Sequence, residues 1–92
     1  MLSMPLIHHQ SVLQEMLVKA RKKSGLKQVE VATRLNKPQS FVSKVETGER
    51  QLSIEEFVNL VNAMGCHPVG FFADFVARVT DAEKQRSSTG NS

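Results

Sequence analysis

The sequence predicts an all-α domain of five short helices. Three observations carry that prediction. Apolar residues recur at helical spacing almost throughout, capping residues bracket each periodic run, and no stretch alternates apolar with polar as a half-buried strand does. With 92 residues, 40% hydrophobic and 23% charged, the chain has the composition of one globular domain with a small core.

The elements follow in order. Val12, Leu13, Met16, Leu17 and Ala20 share one helical face; Ser11 with Gln14 reads as a capping-box start and Gly25 as the stop. Residues 1–10 are then expected as a flexible N-terminal arm, residues 11–83 as the domain and residues 84–92 as a disordered tail. The second helix is short, Gln28 to Leu35, with Val31, Ala32 and Leu35 inward. Asn36 follows where a left-handed cap belongs, and Asn tolerates that conformation better than other residues with a side chain. Pro38 reads as the first residue of a third helix that runs to about Thr47 and stops at Gly48. Ser53 and Glu56 form a second capping box. It opens a helix carrying Ile54, Phe57, Val58, Leu60, Val61 and Met64, stopped by Gly65. His67-Pro68 starts the fifth helix, with Phe71, Phe72, Phe75, Val76 and Val79.

Several function classes drop out. No apolar run is long enough for a membrane span, and no basic segment leads into an apolar one as in a secretory signal. The single Cys66 forms no internal disulfide and no CxxC pair. The expected location is therefore cytoplasmic. His8 and His9 are adjacent and point apart on a helix, so no metal site is expected. No activated nucleophile and no glycine-rich phosphate loop is present, so neither catalysis nor a cofactor is expected. Charge is more telling. The net +3 conceals a block at residues 19–50 with nine bases against three acids, which favours a polyanionic partner.

The informative stretch is 28–47, two short helices joined by a tight turn. At about 100° per residue, Pro38, Val42 and Val45 of the second helix lie on one side with Phe41 at the edge. Ser40, Ser43, Lys44 and Thr47 lie on the other. That outer face holds no carboxylate, whereas ordinary solvated helix faces are rich in Glu–Lys pairs. Its Ser, Thr and Lys side chains suit the base edges of a major groove, and Gln39 sits at the helix tip, nearest the bases.

The stretch GLKQVEVATRL-NKPQSFVSKVETGER resembles the helix-turn-helix of the lambda-repressor-like (Xre-type) DNA-binding family, over roughly residues 13–72. The resemblance implies a compact five-helix fold with the helix-turn-helix at helices 2 and 3. It implies that Ala32 lets those helices approach, with Val42 and Val45 in the core. Gln39, Ser40, Ser43 and Lys44 are then expected at bases, and Gln28, Lys27, Lys37, Thr47, Arg50 and Arg21 at phosphates. Two residues depart from the family pattern: Asn36 replaces the usual turn Gly, and Lys27 replaces a capping Ser or Thr, at a cost of about 1 kcal/mol or less. The resemblance also pairs Glu46 with Arg21 as an ion pair holding the recognition helix.

Phe75, Val76 and Val79 extend past what a small core needs to cover, so residues 68–80 are expected to form a homodimer contact. The resulting expectation is a DNA-binding transcriptional repressor, a homodimer on an inverted-repeat operator of double-stranded DNA. The alternative is an antitoxin-type module whose C-terminal helix grips a protein partner while DNA binding autoregulates its operon.

Overall fold

The computed structural model describes residues 3–91, with side-chain surroundings over residues 9–81. Its elements are α1 (Ser3–Lys23), α2 (Gln28–Leu35), α3 (Gln39–Thr47), α4 (Ile54–Ala63) and α5 (Pro68–Asn91). No strand occurs among the described residues.

Helix endings set the turns between these elements. Asn36 has φ 57° and ψ 44°, a left-handed cap. Its N–H bonds the Thr33 carbonyl at 3.1 Å while the Lys37 N–H bonds Ala32 at 2.9 Å, the paired closure of a Schellman motif. Gly25 and Gly65 end α1 and α4 with the same two-bond pattern. Gly48 also has positive φ, and a Cβ there would run into the Gln14 amide, so the chain leaves α3 pressed against α1.

The N-termini differ in how well they are capped. At α4 the Ser53 Oγ accepts the Glu56 N–H at 3.1 Å and the Glu56 carboxylate accepts the Ser53 N–H at 2.9 Å, a complete capping box. At α2 only half is built: Glu30 accepts the Lys27 N–H at 2.7 Å, and the Lys27 ammonium has no lone pair to return the bond.

Packing follows from the apolar faces. Leu17 of α1, Val31 and Ala32 of α2, Val42 and Val45 of α3, and Leu60 and Val61 of α4 form the centre of the core. Helix α3 rests on α2 and α1, α4 on α2 and α5, and α5 returns across α1. Two bonds that cross between elements close the C-terminal end of α4. Arg34 Nη1 donates to the Ala63 carbonyl at 2.7 Å and Ser24 Oγ to the Met64 carbonyl at 3.0 Å, satisfying acceptors the helix leaves open.

The boundaries correct several expectations. Helix α1 begins at Ser3 rather than Ser11, so Ser11 lies mid-helix. Pro5 falls in the first turn, where a missing N–H breaks nothing. Helix α5 continues to Asn91 where a tail from Lys84 was expected; Lys84, Gln85 and Arg86 are good helix formers and no Pro interrupts them. Pro38 is the N-cap of α3, not its first helical residue, because its ψ of 154° is extended.

The cap at Asn36 gives a direct test. Asn36→Gly should leave the urea midpoint nearly unchanged, whereas Asn36→Ala should cost about 1 kcal/mol, because Ala keeps the Cβ but lacks the short polar side chain that eases the left-handed conformation for Asn.

Candidate nucleic-acid interface

The outer face of α3 is open. Gln39, Ser40, Lys44 and Thr47 are exposed and Ser43 is half-buried, while Phe41, Val42 and Val45 turn inward. Lys27, Lys37 and Arg50 are exposed around this helix, and Gln28 is half-buried at the start of α2. One acid approaches. The Thr47 hydroxyl lies 3.2 Å from the Lys44 carbonyl and 3.3 Å from Glu49 Oε2, either of which can accept its one proton, so the far end of the face is less free of carboxylate than the sequence suggested.

Glu46 lies on the flank of α3, and three donors converge on it. Arg21 Nε donates to Oε2 at 2.6 Å and Nη2 to Oε1 at 3.0 Å, a two-pronged pair, and Gln28 Nε2 donates to Oε1 at 2.8 Å. The two ionic side chains are only 11% and 9% exposed. Arg21 Nη1 donates further to the Leu26 carbonyl at 2.9 Å, so all three guanidinium nitrogens have partners within the protein. Gln39 Nε2 donates to Gln28 Oε1 at 3.3 Å. A chain of bonds thus runs from α1 through Glu46 and Gln28 to the tip of α3.

Arg50 is also held. Its Nη1 and Nη2 meet the Glu56 carboxylate at 3.1 and 2.9 Å, and Nη1 donates to the Gln51 carbonyl at 2.6 Å. Both Arg50 and Lys37 lie over the Phe41 ring, with Cζ 4.8 Å and Nζ 5.4 Å from its centroid. Sequence reasoning missed these links, as it missed Gln28 to Gln39. The only local hint was a lone aromatic among aliphatic positions on the inner face of α3.

The C-terminal residues divide differently from expectation. Val79 is 8% exposed, buried within the monomer and unavailable as a dimer contact. Phe75 is half-buried, while Val76 is 43% and Phe72 48% exposed. Ile54 and Val58 of α4 are exposed as well. Leu13, Leu52, Ile54, Phe72 and Phe75 line a shallow groove of about 160 Å³. No single helix among the described residues is long and apolar enough to cross a membrane. The His8 side chain lies outside the described residues, and no three His, Cys, Asp or Glu side chains cluster among those described.

Short helices joined by a left-handed turn, the second presenting a polar face braced from behind, define a helix-turn-helix DNA-binding domain. A family profile described as helix-turn-helix matches residues 17–71. An XRE-family like protein from Pseudomonas syringae superposes with a TM-score of 0.75 at 37% identity, covering 79% of this chain and 92% of that one. The clp gene regulator ClgR from Corynebacterium glutamicum shares the fold, with a TM-score of 0.70 at 17% identity, covering 88% and 86%. Comparison with curated proteins returns no match. The chain belongs to the XRE-type helix-turn-helix family of DNA-binding transcription regulators.

Two outcomes test the bracing. Arg21→Ala strands Glu46 without its ionic partner and should lower stability by about 3 kcal/mol, whereas Arg21→Met with Glu46→Leu should restore most of the loss; urea denaturation measures both. The second concerns Glu56, whose carboxyl is held below its usual range by the Ser53 backbone N–H and by Arg50. The unfolded chain binds that proton more readily, so the contribution is full above the ordinary carboxylate pKa and fades as pH falls through the folded value. Melting temperatures of wild type and Glu56→Gln should differ at neutral pH and converge as pH falls below the ordinary carboxylate range.

Proposed function

We propose that this protein is a transcriptional repressor that binds an inverted-repeat operator as a homodimer, with α3 in the major groove of each half-site. The observation that supports it most is the outer face of α3. Its first two turns present Gln39, Ser40, Ser43 and Lys44 with no carboxylate pointing outward, since Glu46 is consumed by Arg21 and Gln28. In this reading those four side chains meet base edges, and Lys27, Lys37, Gln28, Thr47 and Arg50 meet phosphates. Arg21 acts from behind, through Glu46. The chain works by binding, not by catalysis.

The dimer contact belongs to the apolar strip that α4 and α5 leave in solvent. Val69, Phe72 and Val76 recur along one face of α5 and are exposed, and Ile54 of α4 lines a groove with Phe72. A second copy offers the same strip by two-fold symmetry, which suits half-sites about 34 Å apart.

Sequence selection of genomic fragments by the purified protein, followed by binding titrations, tests the DNA assignment. On the selected operator, Lys44→Ala and Gln39→Ala should each cost about 1–3 kcal/mol and relax preference at one position. Lys27→Ala should weaken operator and random duplex alike and reduce the salt slope by about one. Equal losses on both DNAs for all three variants would overturn the division of roles. Val76→Asp should convert the protein to a monomer in sedimentation while leaving its helix content intact.

A further inference from the structure

We infer that Phe41 is a positioning residue for DNA binding, its ring serving as a platform that holds Lys37 and Arg50 where the duplex backbone passes α3. The inference rests on the phosphate roles proposed above for those two cations and assigns them a shared support.

The placement is specific. Phe41 lies in the first turn of α3 and is buried in the core, so its ring is fixed by packing. Lys37 leaves the chain just before α3 and Arg50 just after it, yet both return to this ring, Nζ at 5.4 Å and Cζ at 4.8 Å from the centroid. Both distances fall within the roughly 6 Å over which a cation is attracted to the negative face of an aromatic ring.

The other inward residues of α3 are the aliphatic Val42 and Val45, and an aliphatic side chain at position 41 would bury apolar surface as they do. What it would lack is the ring quadrupole. Two cations drawn to one ring also repel each other, and the Glu56 carboxylate on Arg50 at 2.9 and 3.1 Å offsets that repulsion. Lys and Arg lose much rotamer freedom when they clamp a phosphate. A ring that restrains both beforehand removes part of that loss, which is preorganisation in the ordinary sense.

The experiment is fluorescence anisotropy with the full chain and a labelled random-sequence duplex, titrated across potassium chloride concentrations. A random duplex suffices because phosphate contacts do not depend on sequence. Phe41→Leu should weaken binding by about three- to tenfold, as expected for loss of two cation–π contacts. Phe41→Tyr, which keeps the quadrupole, should retain most of the affinity. In a Lys37→Ala/Arg50→Ala background, Phe41→Leu should have no further effect. If Phe41→Leu lowers the melting temperature but leaves the affinity of the folded protein at the wild-type value, Phe41 is a core residue only and the inference fails. An equal loss in the double-alanine background overturns it as well. If Lys37→Ala and Arg50→Ala themselves change nothing, the phosphate assignment has failed first and the inference falls with it; those two variants alone reveal this. Should Phe41→Leu not fold, proton NMR of the wild type decides. Ring currents should shift the Lys37 ε and Arg50 δ protons upfield, and random-coil positions would overturn the platform.

Discussion

A single carboxylate, Glu46, ties α1, α2 and α3 together. It stands on the recognition helix, receives two nitrogens of Arg21 from α1, and takes the Gln28 amide from α2. An aliphatic contact at this point would allow the helices to slide and rock within the tolerance of side-chain packing. A two-pronged guanidinium–carboxylate pair fixes both distance and plane. The desolvation of two mostly buried charges makes such a pair a weak source of net stability. What it adds is a directional restraint between α1 and α3, the helix with the polar outer face.

The same constraint separates the two sides of α3. Because Glu46 is neutralised inward, the helix carries an acid without presenting it to a polyanion. The bond from Gln28 to Gln39 extends the brace to the helix tip, so the first side chain expected to meet a base is tied to the scaffold before DNA arrives. At the far end, Thr47 shares its hydroxyl with Glu49, and Arg50 is drawn back toward Glu56 and Phe41. The face is therefore graded: open and acid-free over its first turns, and occupied by internal contacts at its end.

Much of the fold was legible because it is governed by local chemistry. The left-handed turn at Asn36, the glycine stops at Gly25 and Gly65, and the Ser53–Glu56 box depend only on residues within a few positions of one another. Boundaries were less legible. Ser11 and Gln14 satisfy a start pattern, but nothing before them breaks a helix, so α1 runs on past them. On α4 and α5, periodicity identified apolar residues but not their partners. Val79 is enclosed while Val76 and Ile54 are left in solvent, because the angle between neighbouring helices, rather than hydropathy, selects which part of an apolar stripe is covered.

By itself the sequence determined five helices, their turn chemistry, the basic middle third and the polar outer face of α3, since each arises from side chains adjacent along the chain or on one helical surface. Tertiary structure alone decided that Arg34 and Ser24 close the end of α4, that Arg50 turns to Glu56, and that Phe41 gathers cations from both flanks of α3. Those contacts join residues from separate elements, and their geometry exists only once packing has set the helices in place.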